Sequence, residues 1–297
     1  MVPRSIFTPQ ACAVRVCRRG RINSTGAWRA RDAWRATDGE GVSMYGAFAR
    51  VYDAVMDEIP YDEWCAYLRG LLEARGVSDG IVCELGCGTG NVTQRLSAAG
   101  YDMIGIDASE EMLSEAQEKL WEGGGEQILY LNQDIREFEL FGTVRAFVSV
   151  CDTMNYMESE EDLLKVFRLV SNYLDEEGVF IFDMKTAAYF EGLGNRSYTD
   201  VREDCALIWE NEYDAKSMTN TYALTIFEEA EDGLYERSDE VHVQRAYGIE
   251  RVKELLREAG LKVEACYEAF TDREGKEENM RVYFIAREVR HEGKLYT

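Results

Sequence analysis

From residue 81 to residue 186 short apolar runs alternate with amphipathic stretches. Ile81–Leu85, Met103–Ile106, Ile128–Leu131, Val144–Val150 and Val179–Met184 are bounded by glycine or polar residues and read as strands. Val144–Val150 is almost wholly apolar, as a strand covered on both faces should be. The stretches between them carry helical spacing. One runs from about Asn91 to Ala99 and stops at Gly100. Another follows Ser109, a good N-cap, and places Met112, Leu113, Ala116 and Leu120 on its inner face. A third carries Leu163, Val166, Phe167, Val170 and Leu174, with Gly178 as its break. Upstream, Phe48, Val51, Tyr52, Val55 and Met56 form one apolar stripe, and Trp64, Leu68, Leu71 and Leu72 form a second after Pro60.

The texture changes after residue 186. Ala206–Tyr213 and Thr221–Phe227 alternate apolar and polar positions and are separated by turn residues, which predicts an antiparallel insertion over residues 187–247. Ile249, Val252, Leu255, Leu256 and Ala259 then restore a helical face, and Leu261–Phe270 and Arg281–Arg287 read as two closing strands. The expected fold is α/β: a doubly wound, Rossmann-like, mostly parallel seven-stranded sheet with an antiparallel β insertion after strand five. Residues 44–186 and 248–290 would form the core.

The run from Val82 to Asn91, Val-Cys-Glu-Leu-Gly-Cys-Gly-Thr-Gly-Asn, joins the first strand to the first helix of that core. Glycines at alternate positions let the backbone approach a ligand closely. A dinucleotide fingerprint would need glycine at position 91, and a phosphate-binding loop would need Lys-Ser/Thr after its last glycine; Asn91-Val92 supplies neither. With Glu84 two residues ahead of the first glycine, the run resembles motif I of the class I S-adenosylmethionine (SAM) methyltransferases. That resemblance implies cofactor contacts from Glu84, Gly86, Cys87, Gly88, Gly90 and Asn91. It implies that Asp107, at the end of strand two, accepts hydrogen bonds from both ribose hydroxyls. Asp134 would meet the adenine amino group and the backbone of Ile135 a ring nitrogen, while Ala108 and Met112 would pack on the adenine face. Tyr45 and Tyr52 lie on a helix that closes over the cofactor in this family. Plainer roles stand beside these: a helix cap for Asp107, a solvated loop acid for Asp134, and core packing for Met112 and the two tyrosines.

Cys151–Tyr156 follows strand four, where the methyl group faces its acceptor in this family. The Asn/Asp-Pro-Pro-Tyr/Phe signature of base methylases is missing there. The segment is similar to small-molecule methyltransferases, including amino-sugar N-methyltransferases with a β-rich insertion. The resemblance implies methyl transfer to a small-molecule N or O acceptor by in-line displacement, in which positioning contributes on the order of 7–11 kcal/mol. Asp152 would contact the methionine end or orient the acceptor; its plainer role is a loop cap. Within the insertion, alternation puts Glu240, His242 and Gln244 on one strand face, with Arg245 beside them. His242 is a candidate general base, against the alternative of a surface strand residue. Trp209, Tyr213, Tyr222, Phe227 and Tyr235 would line an acceptor pocket, form a homodimer face or pack on the core. The rival functions are a non-catalytic SAM-binding regulatory protein and a methyltransferase of protein or RNA.

Composition narrows these choices. The 297-residue chain carries a formal net charge of -23, which disfavours a nonspecific grip on nucleic acid. Eight cysteines without a Cys-x-x-Cys pair suit the reduced, packed thiols of a cytoplasmic protein. Two histidines, His242 and His291, leave no basis for a histidine-rich metal site, and no apolar run is long enough to span a bilayer. Residues 1–43 differ from the rest, with eight arginines, no lysine and three acids. They read as a disordered basic leader, a transit-type segment, or upstream sequence ahead of a true start at Met44, the last being favoured.

Overall fold

The computed structural model describes residues 46–125, 127–230 and 233–289. The expectations for residues 1–43, Met44, Tyr45 and His291 fall outside them. The first elements are helices α1 (Gly46–Val55) and α2 (Tyr61–Glu73). The alternating part follows as β1 (Ile81–Leu85), α3 (Asn91–Ala98), β2 (Asp102–Asp107), α4 (Glu110–Glu122), β3 (Leu129–Asn132), β4 (Val144–Ser149), α5 (Glu160–Tyr173) and β5 (Leu174–Lys185). A short helix α6 (Ala187–Leu193) leads into β6 (Ser197–Val201), β7 (Cys205–Asp214), β8 (Thr219–Glu229) and β9 (Tyr235–Arg245). The chain closes with α7 (Ile249–Glu258), β10 (Leu261–Glu268) and β11 (Arg281–Glu288).

The seven-stranded sheet has the order β10-β11-β5-β4-β1-β2-β3. Strand β11 runs antiparallel to β5 and β10, while β5, β4, β1, β2 and β3 pair in parallel. The strand order reverses between β1 and β4, so the crevice beyond their carboxyl ends is where an open sheet of this kind receives a ligand. One face packs Phe147, Phe180, Phe182 and Phe284 against Phe167 of α5 and Leu256 of α7. The other packs Val82, Val148 and Tyr283 against Leu68 and Leu72 of α2 and Leu96 of α3. The insertion is a separate four-stranded antiparallel sheet, β6-β7-β8-β9. Leu207, Tyr222, Leu224 and Ile226 on its inner face share a cluster with Phe48 and Val51 of α1.

The structure shifts some expected boundaries. Helix α5 stops at Tyr173, ahead of Gly178. Leu174 already pairs with Val144, and pairing resumes at Ala146 with Val179, so residues 175–178 bulge out. Gly178 serves that bulge, since a Cβ there would lie 3.0 Å from the Asp175 carbonyl oxygen. Helix α6 was not expected; the side chain of Thr186 accepts the Tyr189 amide and caps it.

Candidate active site

Glycine-rich residues 86–90 leave β1 and double back over the end of β2. Gly86 N and Cys87 N both donate to the Ile106 carbonyl, at 2.8 and 3.0 Å. Gly86 takes φ +70°, and a Cβ there would sit 2.3 Å from Thr153 Cγ2. Only glycine lets the β4 loop lie this close to the β1 loop. Cys87 is buried, and burial pushes its thiol well up, which leaves it an inert packing group.

Asp107 ends β2 as expected. Its Oδ2 accepts from Gly88 N at 2.8 Å and its Oδ1 from Ser109 N at 2.9 Å. A carboxylate has about four acceptor sites. Backbone amides fix the group's orientation, and the remaining capacity is available to a vicinal diol. The helix-cap role belongs to Ser109, whose hydroxyl accepts from Met112 N at 3.1 Å. Asn132 Nδ2 donates to the Asp107 and Ala108 carbonyls at 3.2 and 3.0 Å and ties β3 to the same edge. Asp134 follows in the next turn. It is engaged by Arg136, which holds its carboxyl below the ordinary range by hydrogen bonding. Ile135 turns its side chain into the core beside Phe138.

Glu84 lies beneath the glycine-rich segment at 2% exposure and accepts a hydrogen bond from the Thr93 hydroxyl. Burial pushes its carboxyl up to about 8, with Asp107 adding to the rise and Thr93 opposing it. This has a consequence for folding. The unfolded chain releases the Glu84 proton near pH 4.5, whereas the fold holds it to about 8. Between these values the folded state binds the extra proton, so this contribution is full below pH 4.5 and lost as pH rises through 8. Glu84→Gln is expected to flatten that decline, measured as melting temperature against pH from 5 to 9.

Four predicted residues have other immediate tasks. Asn91 donates its amide to Asp53 Oδ1 at 2.7 Å. Asp53, on α1, also accepts from the Thr89 hydroxyl at 2.8 Å and from Lys119 Nζ at 2.5 Å. The first helix is thereby stitched to the glycine-rich segment and to α4. Met112 is buried in the cluster beneath α1. Tyr52 packs edge-on to Phe48, with ring centroids 5.4 Å apart, and burial raises its phenol far above the ordinary range. Gly90 takes φ +76° as the N-cap of α3.

Asp152 stands in a buried cluster of charges. Both Cys151 and Asp152 adopt left-handed backbone angles, φ 58° and 59°. The Asp152 amide donates to Asp183 Oδ1 at 2.8 Å. Its carboxylate contacts Lys185 Nζ at 2.8 Å and Arg281 Nη2 at 2.7 Å, and it accepts from Gln244 Nε2 at 2.7 Å. Arg281 Nη1 also reaches Asp183 Oδ2 at 2.6 Å. Burial favours the neutral acid at both aspartates. Against that, Lys185 and Arg281 hold Asp152 below its ordinary range, while Asp183 remains raised. Asn155 locks the far end of the loop, donating to the Lys185 and Arg245 carbonyls at 3.0 and 2.8 Å.

Gln244 brings the insertion to this edge. The alternation expected on β9 holds: Glu240, His242 and Gln244 are 7%, 2% and 1% exposed. The surface alternative for His242 is therefore wrong, because this face of β9 turns inward onto α1 and the β4 loop. His242 Nε2 lies 3.1 Å from Glu240 Oε2, and Glu240 Oε1 accepts from Phe48 N at 3.0 Å. The imidazole also meets the rings of Phe48 and Tyr156 edge-on at 5.8 and 6.2 Å. Of the insertion aromatics, Tyr222 is buried and donates to Gln244 Oε1 at 3.3 Å. Trp209 packs edge-on to Tyr222 and Tyr213 stacks on Phe190. Tyr235 is exposed.

Glu84, Gly86, Gly88, Asp107 and Asp134 thus occupy the ends of β1, β2 and β3, as expected. Asp152, just after β4, meets Gln244 of the insertion, on the strand face that also carries His242. Asp53, Asp183, Lys185 and Arg281 complete the arrangement and were not foreseen. Among the described residues no cluster of three or more His, Cys, Asp or Glu could hold a metal ion, and no helix is long and apolar enough to cross a membrane.

The profile of the methyltransferase domain family matches residues 82–178. A Bacillus subtilis protein described as a putative methyltransferase, YqeM, is 33% identical over 245 residues, covering 82% of this chain and 96% of its own. A solved S-adenosylmethionine-dependent methyltransferase from Clostridium acetobutylicum matches with a TM-score of 0.72 and 27% identity, covering 81% of this chain and 97% of its own. SAM-bound CalS10, an amino pentose methyltransferase from Micromonospora echinaspora, shares the fold with a TM-score of 0.64 at 17% identity, covering 80% of this chain and 97% of its own.

Proposed function

Because this chain belongs to the S-adenosylmethionine-dependent methyltransferases, we propose that it methylates a nitrogen or oxygen of a small-molecule acceptor held between the core sheet and the insertion. The observation that carries this reading is the inward polar face of β9, which meets the β4 and β5 ends through the Gln244–Asp152 hydrogen bond of 2.7 Å. The amino pentose methyltransferase named above shares the fold.

Asp107 would hold the ribose hydroxyls, the glycine-rich segment would lie along the cofactor, and Asp134 would meet the nucleobase. When bound, SAM supplies a methyl group already activated on a sulfonium. The chain's own task is to align an acceptor, keep water out and remove a proton. Helix α1 closes one side through Phe48 and Tyr52. The Asp152 loop fixes the other side. His242 is the group suited to take the proton: with Nε2–H donated to Glu240, the other ring nitrogen is the basic one. Glu240 orients the ring by that contact.

The test is a labelled-SAM incubation with fractionated cell extract. Label is expected in the small-molecule fraction; label confined to protein or RNA would reject the acceptor class. Asp107→Ala is expected to weaken SAM binding about ten- to a hundredfold by calorimetry, the loss of a hydrogen bond to a charged group.

A further inference from the structure

We propose that Arg136 is an internal competitor for the cofactor's nucleobase, holding the acceptor sites of Asp134 until an adenine amino group takes them. The inference rests on the reading that Asp134 meets adenine. Asp134 Oδ1 accepts from Arg136 N at 2.8 Å and from Arg136 Nε at 2.9 Å. Its Oδ2 accepts from the same Nε at 2.9 Å and from Nη2. Three N–H donors, that of Nε shared between both oxygens, fall on a group with about four acceptor sites, so the fork leaves little for a ligand. Asp107 differs, since its partners are backbone amides that stay in place rather than a side chain that can move away.

The guanidinium also has somewhere else to go. Asp134 lines a groove with Asn132, Gln133 and Glu139, whereas Arg136 lines the neighbouring one with Lys165, Arg168 and Tyr173. Glu137 and Glu139 also line that second groove. Asp162 of α5 feels the charge of Arg136, which helps to hold its carboxyl below the ordinary range after the larger effects of Ser159 and Lys165. Arg136 is about half exposed, at 49% for its side chain, so moving it disturbs no core packing. An adenine amino group that displaces it therefore exchanges one contact of Asp134 for another, and the protein sets its cofactor affinity by the strength of the pair it must break.

The experiment is calorimetry with two probes: S-adenosylhomocysteine, and the matched purine analogue that lacks the 6-amino group. Breaking an exposed ion pair is a small cost, so Arg136→Ala is expected to bind S-adenosylhomocysteine about 1.5- to 5-fold more tightly than the wild type. It should bind the purine analogue with unchanged affinity, because that probe has nothing to offer Asp134. In an Asp134→Asn background the gain should vanish. Weaker or unchanged binding of S-adenosylhomocysteine by Arg136→Ala overturns the inference, as does an equal gain for both probes. Failure of the wild type to bind S-adenosylhomocysteine would instead remove the cofactor reading itself, and this inference with it.

Discussion

Asp183→Ala is expected to cost the fold about 3–5 kcal/mol, the range for breaking a buried ion pair from one side. Asp183 is 0% exposed and serves two partners at once, the Asp152 amide and the Arg281 guanidinium. Truncation leaves Lys185 and Arg281 with Asp152 as their only carboxylate in this cluster, so an uncompensated positive charge remains buried. It also frees the amide that pins Cys151 and Asp152 in the left-handed region, where non-glycine residues are held at a cost of order 1–3 kcal/mol each. The measurement is urea unfolding, with a fall in midpoint at constant slope. Asp183→Asn keeps an acceptor for the Asp152 amide and loses only the charge, so it should fall between the wild type and alanine. A loss below 1 kcal/mol for the alanine variant would show that the cluster does not hold the loop.

Asp183 also shows how far the sequence could be read. It interrupts the apolar run Val179–Met184, and a charge inside a strand buried on both faces must be paired. Its partner Arg281 lies 98 positions away, on a strand whose place next to β5 depends on the closed sheet. Period and spacing are local quantities, and such a pairing leaves no trace in them. The same holds for Asp53, whose partners Thr89, Asn91 and Lys119 come from two other helices and a turn. Glu84, Asp107 and Asp134 were readable because each stands just before or just after a strand end that its own neighbours mark. His242 falls between these cases. Alternation grouped it with Glu240 and Gln244, but a face of charged and polar residues signals solvent by the ordinary rule. The whole face turns inward because α1 and the β4 loop supply Phe48 N as a partner for Glu240 and Asp152 as a partner for Gln244. Helix α6 was hidden for a different reason: seven residues are too few to display a helical period.

The inward position of His242 sets up the prediction that bears most directly on chemistry. His242→Gln is expected to lower turnover with the natural acceptor about 10²- to 10⁴-fold, the usual contribution of a positioned general base. SAM affinity should stay within about twofold, because the imidazole meets Phe48, Tyr156 and Glu240, and none of these belongs to the glycine-rich segment or to Asp107. A packing role predicts the opposite division. His242 is 2% exposed, so a purely structural histidine would show its loss in stability and in the docking of α1, and through α1 in cofactor binding. Glu240→Gln separates the two further. It keeps an acceptor for the Phe48 amide, so α1 should remain docked, while the carboxyl group that orients the ring is gone. Turnover should then fall by less than in His242→Gln, with melting temperature almost unchanged. Wild-type turnover in His242→Gln, or a drop matched by an equal loss of SAM affinity, would take the proton-transfer role away from this residue.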